Sequence, residues 1–300
     1  MKIDEKRDKT RELTAFLTSG KTGRTFDAHE RDMPKISIIT ATYNQAEFIE
    51  RTICSVLNQG YPSVEHIVID GGSTDGTLSV LEKYDKDISY WVSETDEGQT
   101  HAINKGLERA TGDLIGFQNS DDIYLPGAFW RVAEAAKKNP KAGLIYGDFL
   151  HIDDKDNVLD EQLLGAATFW VQVMLGPQVH NQAAFWRRSV SERLGLLDQT
   201  FVFDMDYEYF SRILYAGYRA VHVSEFLGAF RHHSAAKTSN LGDVSKKELQ
   251  QVADYYHQKA RLLSYVPRKI GAPIAKSVKA GKHILNGRYD YLFRDRIKFK

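Results

Sequence analysis

The sequence predicts an α/β fold: a doubly wound, largely parallel sheet with helices on its faces. Three observations lead there. Short runs rich in Ile and Val alternate with amphipathic stretches from Pro34 onwards, the pattern of strand–helix–strand units. These runs lack strict apolar–polar alternation, as expected of strands covered on both faces. Each run also ends in a polar cluster: Thr42 and Tyr43, then Asp70, then Glu94 and Asp96, then Asp121 and Asp122. The carboxyl ends of the strands are where such sheets bind ligands.

The elements follow in order. Residues Met1 to about Asp32 carry mixed charge, a short helix marked by Leu13, Phe16 and Leu17, and a mobile connector at Gly20–Gly23; no chemistry is assigned there, and order is expected from Pro34. A strand over Ile36–Thr40 feeds a helix from about Glu47 to Asn58, with Phe48, Ile49, Ile53, Val56 and Leu57 as its buried stripe. The strand Glu65–Asp70 closes in a carboxylate and the turn Gly71–Thr77, with Ser73 or Thr74 as N-cap of the next helix. A third strand, Ile88–Val92, precedes a helix from Gln99 to Ala110, stopped by Gly112. The run Leu114, Ile115, Phe117 then breaks off at Asn119, Ser120, Asp121 and Asp122.

That break is the centre of the functional reading. Two adjacent carboxylates at the end of a buried strand repel one another and are costly to desolvate. A divalent cation offsets that cost, and carboxylate oxygens suit Mg2+ or Mn2+ with substrate phosphates completing the shell. The competing reading is a solvated loop in which Asp121 caps a helix beginning near Pro126, a residue suited to the first helical position.

Composition narrows the classes. The 300 residues are 42% hydrophobic and 27% charged with zero net charge, an ordinary globular balance that gives no global field for nucleic acid. One cysteine, Cys54, leaves no internal disulfide framework or thiolate metal cage. No membrane span or signal peptide stands out, so a cytoplasmic location is expected. Gly71-Gly-Ser-Thr-Asp-Gly76 is neither the dinucleotide fingerprint nor a P-loop, which disfavours a nicotinamide dehydrogenase or P-loop NTPase. Asp70 suits a hydrogen bond from a base N–H or ribose hydroxyl, and Tyr43 offers a face for stacking on a base.

Taken together, Ser37–Asn44, Val68–Thr77, Gly98–Gly106, Ala110–Asp122 and Phe203–Glu208 carry a family resemblance in their order and spacing. From Pro34 to roughly Ser239 the chain resembles family 2 inverting glycosyltransferases of the GT-A fold. The resemblance implies a sugar-nucleotide donor, UDP-linked by expectation, with Thr42, Tyr43 and Asp70 on the nucleoside. It implies that the Asp121/Asp122 pair touches the ribose and the diphosphate-bound metal, although Asn119 stands where the motif often has its first carboxylate. Gln99 and Asn104, on a helix that opens beside the same strand ends, are expected near the nucleotide. The family's catalytic acid falls on Asp206, with Asp204 and Glu208 as rivals. His233 is implied as a metal or phosphate contact, supported by Arg231 and Lys237, and His180 and Gln182 as a wall near the acceptor or donor sugar. The expected activity is metal-dependent transfer to a hydroxyl of a saccharide or lipid-linked acceptor; the alternative is a catalytically silent nucleotide-sugar-binding module.

Further elements complete the reading. A helix to about Lys138, a strand Ala142–Phe149 and a solvent-facing hairpin turn at Asp153–Asn157 are expected, then an aromatic region from Leu164 to Gly176 over the acceptor site. A helix starts at Asp204 and a strand spans Ala220–Glu225. Residues 241–300 form a separate extension: an amphipathic helix over Val244–Leu263, then a tail from Pro267 with ten Lys or Arg against two Asp and interleaved aromatics. That tail suits an anionic membrane surface; a dimer contact and, less readily, RNA are the competing readings.

Overall fold

A computed structural model describes residues 3–20, 25–165, 167–237, 242–260 and 268–285. The connector at residues 21–23 and the tail beyond residue 285 lie outside these. In chain order the elements are α1 (Ile3–Thr18), α2 (Ala28–Arg31), β1 (Ile36–Thr42), α3 (Ile49–Leu57), β2 (Val64–Asp70), α4 (Thr77–Lys83), β3 (Tyr90–Ser93), α5 (Gln99–Arg109), β4 (Leu114–Asn119), β5 (Ile123–Tyr124), α6 (Ala128–Lys138), β6 (Ala142–Ile152), β7 (Val158–Gln162), α7 (Phe169–Leu175), a 3-10 turn (Asn181–Ala183), β8 (Ala184–Arg187), α8 (Arg188–Leu194), α9 (Met205–Tyr215), β9 (Arg219–Arg231), α10 (Gly242–Lys259) and α11 (Arg268–Leu285).

The strands form one mixed sheet in the order β3-β2-β1-β4-β8-β6-β9-β5, with β7 paired to β6. The first four are parallel, as the alternation predicts; β8 inserts antiparallel between β4 and β6. β1 is buried along its whole length, which is why its apolar run shows no alternation. Register then sets the site. Thr42 lies opposite Asp70, Asp70 opposite Ser93, and Ala41 opposite Asn119, so the polar strand ends share one rim. Ile38, Ile39, Ile67, Ile69, Ile103 and Phe117 pack in the core beneath them.

Several expectations are corrected. Order does not wait for Pro34. Leu13 and Leu17 of α1 are buried against Ile123, Leu150, Ile152 and Val158, and Asn58 Nδ2 donates to the Phe16 carbonyl at 2.8 Å. Neither Ser73 nor Thr74 caps α4, which begins at Thr77 after Gly76. Ser73 is occupied by Asp70, and the Thr74 N–H donates to Asn44 Oδ1. Pro126 precedes the helix rather than starting it, because Gly127 takes a left-handed conformation (φ 72°) ahead of α6. The strand expected over Ala220–Glu225 continues to Arg231, pairing in parallel with β6. The Asp153–Asn157 turn is only partly solvent-facing: Asp156 pairs with Arg51 at 3.1 Å and with Arg231 at 2.6 Å.

The C-terminal helices are packed against the rest. Val252 and Tyr256 of α10 are buried in the main core. In α11 Ala275 is fully buried, and a side chain at Gly271 would meet Met174 Sδ at 2.8 Å. The basic, apolar pattern of the tail thus includes a docking face on α7. No helix among the described residues is long and apolar enough to cross a membrane.

Candidate active site

Asp121 and His233 meet on the rim although 112 residues separate them. β9 pairs with β5 and β6 and so carries its C-terminal end past the β4–β5 turn. There His233 Nε2 lies 3.0 Å from Asp121 Oδ2. The Phe48 ring packs against the imidazole, centroids 4.3 Å apart, and fixes its plane. Asp121 retains some exposure, with 19% of its side chain accessible, whereas His233 is nearly covered, at 5%. A carboxylate oxygen suits Mn2+ or Mg2+, so Asp121, with the imidazole beside it, could hold such an ion. Among the described residues, no cluster of three or more His, Cys, Asp or Glu forms a complete cage.

Asp122, the other member of the pair expected at the metal, lies deeper than Asp121. It is 1% exposed. Its Oδ1 accepts the Arg231 N–H at 2.8 Å, and its Oδ2 accepts Gln182 Nε2 at 2.9 Å and Asn119 Nδ2 at 3.0 Å. Burial, then the charge of Asp121, push its pKa up to about 8. Held by three protein donors, Asp122 ties three segments together beneath the rim. Arg231 is likewise a tie and not a free diphosphate contact. Its side chain is buried; Nε donates to the Asp121 carbonyl at 2.7 Å and Nη1 to the Asp153 carbonyl at 2.8 Å.

At the end of β1, Tyr43 is 60% exposed, while the buried Thr42 Oγ1 has no hydrogen-bond partner among the described residues. Asp70 is fully buried and serves the loop. Its Oδ2 accepts Gly72 N–H (3.1 Å), Ser73 N–H (2.9 Å) and Ser93 Oγ (2.6 Å), and its Oδ1 accepts Ser73 Oγ (2.5 Å). Four donors occupy the carboxylate, so Asp70 shapes the Gly71–Ser73 turn. Asp96, noted in the sequence only as a polar strand end, stands over that turn: a side chain at Gly71 would come within 2.8 Å of its Oδ2.

Gln99 joins the site and Asn104 does not. Gln99 Nε2 donates to Asn119 Oδ1 at 2.7 Å, and its Oε1 accepts Lys237 Nζ at 2.9 Å. Asn104 is 3% exposed, and both ends of its amide bond the Leu197 backbone at 2.9 Å. Replacing Asn104 by Ala is therefore expected to cost about 2 kcal/mol or more in urea unfolding by orphaning a buried N–H and C=O. UDP affinity of the folded variant, read by calorimetry, should stay unchanged.

Asp206, in the first turn of α9, accepts the Tyr207 N–H at 2.8 Å and a backbone hydrogen bond from Asn181. Burial raises its pKa to about 6 against these hydrogen bonds and the pull of Lys237. Asp204 is pushed up to about 7 by burial and then by the charge of Asp206. Asn181 and Gln182 share one 3-10 turn, so Asp206 and the Asp122 tie are linked through a single short segment. That turn presses against β9 so closely that a Cβ on Gly228 would lie 1.8 Å from the Gln182 carbonyl. His180 packs at a tilt against Phe149, centroids 5.0 Å apart, with its pKa lowered to about 4 by burial, Lys279 and His151.

The structure thus holds one partly exposed carboxylate, Asp121, beside an imidazole at the strand ends and a second, desolvated one, Asp206, at the start of α9. The sequence model described as glycosyl transferase family 2 matches residues 37–182. An uncharacterized glycosyltransferase of Mycobacterium tuberculosis H37Rv is 33% identical over 183 residues, covering 60% of this chain and 68% of the relative. The chain belongs to glycosyltransferase family 2. This glycosyltransferase is also 27% identical over 232 residues to TuaG of Bacillus subtilis, provisionally named for teichuronic acid biosynthesis, covering 71% of this chain and 85% of TuaG. Solved structures share its fold. TarS 1-349 of S. aureus in complex with UDP superposes with a TM-score of 0.58 at 15% identity, over 86% of this chain and 74% of that one. The mannosyltransferase PcManGT of Pyrobaculum calidifontis, in complex with GDP-Man and Mn2+, gives 0.57 at 19% identity, over 91% and 85%.

Proposed function

We propose that this glycosyltransferase moves a sugar from a nucleotide-diphosphate donor, UDP-linked by preference, to a hydroxyl of a saccharide or lipid-linked acceptor in cell-surface polysaccharide synthesis. The observation that carries this reading is the Asp121–His233 pair on the strand-end rim, with a separate desolvated carboxylate, Asp206, beside Asn181. Asp121 Oδ2 and His233 Nε2 would hold Mg2+ or Mn2+, which when bound neutralises the departing diphosphate. Tyr43 stacks on the base, and Gln99, held by Asn119 and Lys237, borders the donor. Asp206 takes the proton from the acceptor hydroxyl as that oxygen attacks the anomeric carbon, and the bond to the diphosphate breaks on the opposite face. The names of TuaG, TarS with UDP, and PcManGT with GDP-Man and Mn2+ support the substrate classes.

A panel of UDP-glucose, UDP-galactose, UDP-GlcNAc and GDP-mannose, scored for nucleotide release, tests the proposal. At least one donor should turn over; binding of a donor with no release under any acceptor would favour a silent binding module.

The tail extends the proposal to a location at an anionic membrane surface. Ile274 and Val278 of α11 are 53% and 48% exposed, one helical turn apart, with the exposed Lys276 between them. Each basic residue near such a surface contributes about 1 kcal/mol. Because α11 also packs on α7, the informative variant is Ile274→Glu with Val278→Glu rather than deletion of residues 267–300. It should lower binding to vesicles containing phosphatidylglycerol about tenfold or more while nucleotide release in solution persists; unchanged vesicle binding would refute the assignment.

A further inference from the structure

Glu248 lies on α10, beyond the matched stretch of residues 37–182, yet it holds the segment that presents Asp206. Its carboxylate accepts three consecutive backbone N–H groups: Val202 at 2.9 Å on Oε1, then Phe203 at 2.9 Å and Asp204 at 2.8 Å on Oε2. The side chain belongs to a residue only 7% exposed. Asp204, at the N-cap position of α9, makes no side-chain capping bond, so the start of that helix receives its anion from another helix. From the opposite side Lys237 Nζ donates to the Val202 carbonyl and to Gln99 Oε1. The turn at 202–204 is thus gripped through its N–H groups by Glu248 and through a carbonyl by Lys237.

This arrangement is electrostatically expensive. Glu248 adds a negative charge beside Asp204, whose pKa it and Asp206 both help to raise. An apolar side chain there would avoid the repulsion but would orphan three N–H groups. α10 has a second, independent anchor on α9, where Tyr256 donates to Glu208 Oε1 at 2.8 Å and Glu208 pairs with Arg212 at 2.6 Å.

We propose that Glu248 is a positioning residue, which fixes the 202–204 turn and thereby aims Asp206 at the acceptor hydroxyl. The inference rests on the reading of Asp206 as base. Glu248→Gln keeps the shape and one oxygen acceptor but turns an N–H donor against the N–H groups of the turn. Misaiming a base by a fraction of an ångström costs rate without costing affinity.

The test is a double-mutant cycle on the full chain with Glu248→Gln, Asp206→Asn and the pair, using the panel donor of highest turnover. Glu248→Gln should lower kcat about tenfold, with donor KM and UDP Kd within about twofold. In the Asp206→Asn background it should add less than about twofold. Glu248→Asp, which keeps the charge one methylene short, should recover part of the lost kcat, and it carries the cycle if Glu248→Gln does not fold. Normal kcat in a folded Glu248→Gln protein, or an equal loss in both backgrounds, would overturn the positioning role. Near-normal turnover of Asp206→Asn alone overturns the base assignment and removes the premise, which separates the two failures.

Discussion

Asp206→Asn is expected to lower kcat by about 100-fold or more while leaving UDP and metal affinity intact. The substitution is nearly isosteric, and the amide oxygen still accepts the Tyr207 N–H that the carboxylate accepts at 2.8 Å. What is lost is the capacity to take a proton. The raised pKa of the native group gives a second readout. A base is active when ionised, so turnover should be level above about pH 7 and fall as pH drops through about 6. Asp204, raised to about 7, shares the titration, and the two appear as apparent values of a pair. Stability has the opposite sign. A carboxyl whose folded pKa exceeds its unfolded value contributes most below pH 4, and that contribution is lost as pH rises through about 7. Asp204→Asn should therefore raise Tm at pH 8 with little change at pH 4, and keep far more turnover than Asp206→Asn. Near-normal kcat in Asp206→Asn together with loss in Asp204→Asn would transfer the role to Asp204.

Removing the proposed metal ligands should have an effect as large. Asp121→Asn and His233→Ala are each expected to reduce nucleotide release by about 100-fold or more, and excess EDTA should abolish it, with Mn2+ or Mg2+ restoring the native protein. Because Asp121 is partly exposed and its backbone tie to Arg231 runs through its carbonyl, Asp121→Asn should keep its Tm. Asp122→Asn is predicted to behave otherwise. An amide cannot accept from Arg231, Gln182 and Asn119 together, so this variant should lose stability and activity in parallel. Full activity in excess chelator would remove the metal from the account.

The sheet was legible because the physics is local: β1, β2 and β4 read as doubly buried strands, and their polar ends fall on one rim by register. The same logic singled out Asp121 and Gln99, and the family resemblance His233 and Asp206; the structure brings Asp121 to His233 and Gln99 to Asn119. What could not be read is which way a side chain turns. Asp121 and Asp122 are adjacent and alike in sequence, yet one faces the rim and the other takes three protein donors in the core. Asp70 and Arg231 look like ligands for a nucleotide until the loop and hairpin that they hold are placed around them. Asn104 is hidden for the same reason, since its partner is the backbone of Leu197, 93 residues away. Glu248 gave no signal at all: its partners are N–H groups of residues 202–204, and a backbone donor leaves no mark in side-chain spacing.

The measurement that bears most directly on the central claim is the configuration of the released sugar. When the panel donor of highest turnover is an α-linked UDP-sugar and water serves as acceptor, proton NMR can follow the anomeric signal before mutarotation. A single displacement assisted by Asp206 predicts that the β-anomer appears first. First appearance of the α-anomer would mean that the reaction proceeds with retention, and would contradict the one-base mechanism built on Asp206.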